Sequence, residues 1–392
     1  MCGIVGIVNY NEDLSNGHTI IGNMTKALTR RGPDEEGIVV KKHCNLGHRR
    51  LSIIDIENGK QPMSCKMGDI TYTIVYNGQL YNTQELRQTL TNNGFEFKGH
   101  SDTEVLLKSY LFYGKEVCKH LNGIFAFAIW NDKTEELFLA RDHFGIKPLY
   151  YAKIDDNLIF ASEVKAIFEH PKSRPILDKT GISELFGIGP SHTPGISPFK
   201  GIEELEPAHF MLYHKNGLQK YEYWKLETKE HTDDLETTSE KIRLLLQDSI
   251  ERQLVSDVPL CCLLSGGLDS SIITAYASKY YQQKYGRKLD TFSVDYVDQD
   301  KNFVKSDFQP NSDNYYIDLM VKEFNTNHHK IVLDTPELYK SLEEAMIARD
   351  FPGMADVDSS YLLFFREVKK QAKVALSGEC SDEIFGRVSM VF

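Results

Sequence analysis

The sequence lacks the marks of several protein classes. None of its seven cysteines (Cys2, Cys44, Cys65, Cys118, Cys261, Cys262, Cys380) forms a CxxC pair, their number is odd, and no spacing fits a zinc site. A disulfide or metal framework is therefore not expected, and a reduced, cytoplasmic setting fits. Positive charge is the scarcer sign, 45 Lys and Arg against 56 Asp and Glu, for a net of −11. That balance argues against a general nucleic-acid binder and supplies no polybasic membrane stripe. The opening MCGIVGIVNY is apolar but has no basic flank and ends after eight residues, so it reads as neither signal peptide nor membrane span. No Gly-Lys-Ser/Thr loop, internal repeat or low-complexity tract occurs. What is present is 392 residues with 41% hydrophobic and 26% charged side chains, enough for two ordinary domains with unstapled cores.

The first half is rich in strand signals. Runs at 3–8, 70–77, 125–131, 136–142, 149–154 and 158–163 are β-branched or aromatic, and several alternate as half-buried antiparallel strands do. Helical spacing interrupts them at 17–30, 83–93 and 102–112; in the last, Val105, Leu106, Ser109 and Phe112 share a face and Asp102 and Glu104 sit at its positive end. A Pro/Gly-punctuated loop covers 187–201, and strands resume near 209–214 and 221–223. The polar stretch 226–241 has little to bury. This places a first domain at 1–215, a linker at 216–240 and a second domain at 241–392. There a helix starts near a Thr237/Glu240 capping box, and the apolar run 258–264 reads as a buried parallel strand. Strands at 289–296 and 373–379, with helices at 313–324, 336–349 and 358–371, continue a βαβ rhythm.

Cys2 follows Met1 directly. Removal of Met1 leaves a thiol and a free α-amine on one residue, and that amine, titrating near ~7.7–8, can take the thiol proton. Position two alone reads as a small hydrophobe entering a strand. Five further segments reverse that preference: Arg31-Gly32-Pro33-Asp34, His48-Arg49-Arg50-Leu51-Ser52, Asn77-Gly78, Ser101-Asp102 and RDHFGIKPLYY (141–151). With MCGIVG they resemble the glutaminase domain of class II, N-terminal-nucleophile glutamine amidotransferases, over about the first two hundred residues. The resemblance implies an αββα sandwich with Cys2 as nucleophile and Asn77 and Gly78 as oxyanion donors. It also implies glutamine held by Arg50, by Leu51, Ser52, Ile53 and Ile54, and by Asp102. Many relatives carry Glu after the Asn-Gly pair; Gln79 stands here, able to accept a hydrogen bond but adding no charge. Asn-Gly by itself favours a hairpin turn, and Asp102 by itself suits a helix start. RDHFGIKPLYY and ASEVKAI (161–167) read as structural ties.

Ser265-Gly266-Gly267-Leu268-Asp269-Ser270-Ser271 lies between an apolar strand and a helix, where paired glycines and a helix N-terminus can approach an anion. The loop is similar to the PP-loop of ATP pyrophosphatases. LSGECSDEIFG (376–386) resembles the SGEGxDE(V/I)FGG signature of asparagine synthetases, with Cys380 in place of a smaller residue. By that resemblance Leu264, Ser265, Gly266, Gly267, Asp269, Ser270, Val294, Ser377 and Gly378 meet ATP. Glu379 supports the chemistry of a β-aspartyl-adenylate, and Asp269 and Asp382 hold Mg²⁺. The fold class expected is thus α/β, with an α+β first half and a parallel-sheet PP-loop domain after it. The implied substrates are glutamine, aspartate and ATP, with ammonia passed internally; a homodimer is compatible, and neither nucleic acid nor membrane is a partner. The family pattern stops after Gly386, so a truncated synthetase domain is expected. A glutaminase-only or inactive fragment and a β-lactam-synthetase-like ligase are the alternatives.

Overall fold

A computed structural model of the chain describes residues 1–305 and 312–385. The end of the family pattern at Gly386 and the apolar Met390, Val391 and Phe392 lie outside the described residues. The chain divides into two compact units, Met1–Lys229 and Glu230–Phe392.

The first unit runs β1 (Gly3–Val8), α1 (His18–Ala27), β2 (Glu35–Val40), β3 (Cys44–Arg50), β4 (Met63–Met67), β5 (Ile70–Leu80), α2 (Thr83–Asn92), α3 (Asp102–Tyr113), β6 (Gly123–Asn131) and β7 (Glu136–Arg141). It continues with β8 (Tyr150–Ile154), β9 (Asn157–Ala161), α4 (Val164–Phe168), α5 (Lys179–Ser183), β10 (Ile202–Glu204), β11 (His209–His214) and β12 (Gly217–Glu222). Two six-stranded sheets result, ordered β10-β8-β9-β1-β3-β2 and β12-β11-β7-β6-β5-β4, with antiparallel pairing throughout.

Alternation along the strands sorts side chains into three apolar layers. In β6, Phe125, Phe127 and Ile129 join Val105, Leu106 and Tyr110 of α3. Their neighbours Ala126, Ala128 and Trp130 face Ile4, Val8 and Phe160 of the other sheet. The remaining face of β1, Val5 and Ile7, packs on Ile21, Met24 and Leu28 of α1 and just beyond it. The architecture is therefore helix, sheet, sheet, helix, as the αββα expectation has it. Each fully buried Phe or Ile contributes roughly 1.5–3 kcal/mol. A one-residue slip of β6 would exchange phenylalanines for alanines across the sheet, so the register is strongly specified. The same packing buries α3 nearly all round, Lys108 included, and only Phe112 of the expected apolar face is exposed.

The second unit contains α6 (Leu235–Gln253), β13 (Leu260–Leu263), α7 (Leu268–Tyr285), β14 (Asp290–Tyr296), α8 (Gln299–Asn302), α9 (Asn314–Phe324), β15 (Asn327–Leu333), α10 (Thr335–Arg349), α11 (Ala355–Val368), β16 (Val374–Leu376) and α12 (Ser381–Ile384). Its sheet is parallel, ordered β15-β14-β13-β16. Helices α6 and α7 cover one face through Ile250, Leu254, Ala277 and Tyr281, and α11 covers the other through Phe364 and Val368. Two-sided cover explains why β13 is a continuous apolar run.

Two local expectations are corrected. Segment 216–240 is not bare linker: β12 within it pairs with β11, and the buried Tyr223 donates to the Arg141 carbonyl at 2.8 Å. Helix α6 starts earlier than a Thr237/Glu240 box implies, because Asp234 is its N-cap and accepts from the Thr237 amide at 2.8 Å. Among the described residues no helix is long and apolar enough to cross a membrane.

Candidate active sites

In the first unit the chain start is pinned beside the end of β3. The Cys2 thiol lies 3.7 Å from the Leu51 carbonyl, to which it donates, and 3.4 Å from the Leu51 amide. Arg31 Nε donates to the Cys2 carbonyl at 2.9 Å, and its Nη1 is held by Glu163 at 3.0 Å. Burial pushes the Cys2 thiol above its ordinary pKa. Met1 is attached here, its amine donating to the Arg31 carbonyl at 3.3 Å, so the Cys2 nitrogen is a peptide nitrogen. ASEVKAI is thus more than a structural tie, because Glu163 reaches Cys2 through Arg31. RDHFGIKPLYY does tie strands together, through a buried Arg141–Glu204 pair at 2.9 Å and Arg141 bonds to three carbonyls.

Asn77 sits late in β5 with its side chain 1% exposed. Among the described residues, neither its amide nitrogen nor its amide oxygen has a partner. An unpaired buried amide costs about 1–3 kcal/mol, so its presence needs a reason. The next residue, Gly78, is required by close approach: a Cβ there would fall 2.3 Å from the Ile124 carbonyl and 2.6 Å from the Tyr76 ring. Asn77-Gly78 is not a hairpin turn but strand, paired with Phe125 and Ala126 of β6. Gln79 follows on the same strand, half-buried.

Asp102 is the first residue of α3, capped by Ser101, whose hydroxyl accepts from the Thr103 amide at 3.1 Å. Its carboxylate accepts from the Tyr76 phenol at 3.0 Å and the Leu80 amide at 3.2 Å, while burial raises its pKa. Asp102 is therefore a helix start and a buried, hydrogen-bonded carboxylate at once.

Arg50 requires a correction. The resemblance makes it a free fork for a carboxylate, but its terminal nitrogens are engaged. Nη1 donates to Glu35 at 2.8 Å and to the Ile56 carbonyl at 2.9 Å. Nη2 donates to the Ile54 carbonyl at 3.2 Å and the Asp55 carbonyl at 2.7 Å. Four terminal N–H groups meet four acceptors, so Arg50 clamps the loop that carries Leu51, Ser52, Ile53 and Ile54. That loop is also held by Asp34, which accepts from the Ser52 amide at 2.8 Å. Asp55 joins it to the start of α3 by accepting from the His100 and Ser101 amides at 2.7 and 3.1 Å. Glu35 and Asp55 carry no motif that would have marked them, and Glu163 lies in ASEVKAI, which read only as a structural tie.

In the second unit a cavity of about 950 Å³ opens at the carboxyl ends of β13, β14 and β16. Leu264, Ser265, Gly267, Asp269, Ser270, Val294, Ser377, Gly378, Glu379 and Asp382 all line it. Gly266 does not; it makes the turn, at φ +82°. The loop is braced internally, Ser265 and Ser270 hydroxyls lying 3.0 Å apart and the Ser265 amide donating to Ser270 at 3.2 Å. Gly267, the N-cap of α7, offers no side chain to its first-turn amides, which suits an anion at that end. Glu379 accepts a bond from Tyr361. Cys380 sits in the left-handed region at φ +68°, the conformation that favours glycine. Among the described residues no three acidic, His or Cys groups cluster as a metal site. Asp269 and Asp382, both on this cavity, nevertheless fit a magnesium ion held mainly by phosphates and water.

A cysteine at position two of an αββα sandwich that also buries an amide without a partner among the described residues, and a Ser/Gly loop opening a helix over a parallel sheet, are the marks of an amidotransferase joined to a nucleotide-binding unit. Residues 1–224 match the family described as glutamine amidotransferase domain, and residues 241–390 match asparagine synthase. The chain belongs to the glutamine-hydrolysing asparagine synthetase family. It is 50% identical to glutamine-hydrolyzing asparagine synthetase 3 of Bacillus subtilis (strain 168), over 98% of this chain and 63% of that one. Asparagine synthetase 1 of the same strain is 35% identical over 98% of this chain and 58% of its own length. Asparagine synthetase B of Escherichia coli (strain K12) is 28% identical, over 98% and 64%. The chain thus spans about three-fifths of the length of these relatives.

Proposed function

We propose that this chain carries the glutaminase and the nucleotide-binding parts of a glutamine-dependent asparagine synthetase. The observation that supports this best is the buried Asn77 amide, which has neither a donor's nor an acceptor's partner among the described residues. A strand amide kept unpaired at that cost suits a substrate oxygen that becomes negatively charged.

Once Met1 is removed, the Cys2 amine takes the thiol proton and the thiolate attacks the glutamine carboxamide carbon. The Asn77 amide and the Gly78 N–H steady the oxyanion. The protonated amine passes its proton to the departing ammonia, and water then cleaves the thioester to glutamate. Asp102 meets the substrate's α-ammonium. Arg50 acts chiefly by holding the 51–54 loop, whose backbone faces the α-carboxylate. Ammonia so released is the nitrogen donor for amidation of an ATP-activated aspartate. Ser265, Gly267, Ser270, Ser377 and Gly378 receive the nucleotide, Glu379 attends the activated carboxyl, and Asp269 with Asp382 would hold Mg²⁺, which offsets phosphate charge when bound.

The test is glutamate release from glutamine by the purified chain. Cys2→Ala and Cys2→Ser are expected to abolish it while binding of Mg-ATP persists, and mass spectrometry of active protein is expected to show Met1 absent. Undiminished hydrolysis in Cys2→Ala would reject the mechanism.

A further inference from the structure

We infer that Tyr76 is a positioning residue that orients both ends of the glutamine pocket, holding Asp102 through its phenol and Asn77 through its clamped peptide. The inference rests on the glutaminase reading of Asn77 and Asp102. Tyr76 is 2% exposed and packs in the layer between β5 and α3, where a phenylalanine would serve packing alone. Its hydroxyl instead donates to Asp102 Oδ2 at 3.0 Å. The ring can do so because Gly78 leaves room for it: a Cβ at Gly78 would lie 2.6 Å from Tyr76 Cε2.

The other end is held through the backbone. The carbonyl of Tyr76 belongs to the peptide that joins it to Asn77, and two side chains grip that carbonyl. His48 Nε2 lies 3.1 Å from it, and Gln61 Nε2 donates to it at 3.2 Å. Burial pushes the His48 pKa down to about 3, so the ring is neutral and carries its proton on Nε2, where the carbonyl needs a donor. Gln61 Oε1 also accepts from the Tyr76 amide at 2.6 Å. Gln61 Nε2 reaches Thr103 in the first turn of α3 at 3.3 Å, tying the strand to the helix that carries Asp102. Two polar side chains, His48 and Gln61, thus hold the peptide plane next to Asn77, and neither is bonded to its amide. A preorganised donor needs this arrangement, because an Asn77 free to rotate would satisfy itself elsewhere in the ground state.

The phenol has a second effect. Burial raises the Asp102 pKa, and donation from Tyr76 acts against that rise, favouring the carboxylate that an ammonium needs. Tyr76 on β5 and the Cys2 thiol ahead of β1 are titratable groups that face Asp102. The Leu80 and Thr103 amides also donate to it.

The experiment compares Tyr76→Phe, Gln61→Leu and Asp102→Asn in the full chain, measuring glutamine hydrolysis against pH. Tyr76→Phe is expected to raise KM for glutamine about 10-fold, with kcat within about two-fold and the acid limb of kcat/KM moved to higher pH. Gln61→Leu, acting on the Asn77 side, is expected to lower kcat with KM little changed. A Tyr76→Phe variant with unchanged KM, or with a raised KM and an unmoved acid limb, would reduce Tyr76 to a packing residue. Should that variant not fold, Gln61→Leu decides, and an unchanged kcat there overturns the inference. Asp102→Asn separates the two levels: if it leaves KM unchanged, the pocket reading itself fails, whereas a raised KM there with none in Tyr76→Phe sinks only the present inference.

Discussion

Replacing Asn77 by alanine is expected to move activity and stability in opposite directions. Both polar atoms of this side chain are buried and without a partner among the described residues. Leaving such a group unsatisfied costs about 1–3 kcal/mol, and deleting it removes that cost. Against this stands the lost packing of a short side chain, about 1 kcal/mol. The first unit should therefore hold its stability or gain up to ~2 kcal/mol, a Tm rise of at most several degrees for a unit of this size. Activity should change far more. One oxyanion donor is worth about 2.7–4 kcal/mol at the transition state, or 10²–10³ in kcat. Because the donor acts on charge that develops only during reaction, KM for glutamine should barely move. The assay pairs thermal unfolding with glutamate release at saturating glutamine. A kcat above half of wild type would refute the oxyanion role. A loss of more than ~1 kcal/mol of stability would show that the amide is bonded in the resting fold, contrary to the structure.

Further outcomes can be checked independently. Asp102→Asn should raise the glutamine KM far more than Arg31→Lys, which instead loosens the Cys2 carbonyl and should act mainly on kcat. Loss of a desolvated ion pair is worth roughly 2–4 kcal/mol, and equal KM effects would mean the pocket is misassigned. Burial raises the Asp102 pKa, and in the proposed pocket the charged form binds the substrate's ammonium. Glutamine kcat/KM should therefore fall with decreasing pH from a higher pH than an ordinary carboxylate gives, and Asp102→Asn should lack that limb. In the second unit, Cys380→Gly relieves a side chain held at φ +68°. The left-handed conformation costs a non-glycine residue about 1–2 kcal/mol and glycine's extra unfolded freedom returns about 0.5–1, so a net gain near ~0.5–1 kcal/mol should appear in denaturant unfolding. A destabilised variant would show that the Cys380 side chain makes a contact that outweighs the strain.

Local pattern determined a good part of this protein. Runs such as FAFAIWN and GIVGIV read as strands and are strands here, because alternation and β-branching suit a pleated surface covered on both faces. The Ser265–Ser271 loop could be placed between strand and helix because its glycines and hydroxyls follow an apolar run. Cys2, Asn77-Gly78 and Asp102 were singled out by the resemblance of the whole motif set, because each alone reads as a strand hydrophobe, a turn or a helix start. Strands β3 and β15 were not legible. CNLGHRR and NHHKIVL are polar and unalternating, and they become strands by pairing with neighbours already in place. Their polar groups are satisfied only there, as His48 is by the Tyr76 carbonyl. The tertiary structure alone decided what each site residue touches. Glu163 reaches Arg31 across 132 positions, Tyr76 reaches Asp102 across 26, and Arg50 spends its fork on Glu35 and a loop of carbonyls. The Glu163–Arg31, Tyr76–Asp102 and Glu35–Arg50 contacts depend on geometry summed over the whole sandwich, and no motif read in the sequence contains both partners.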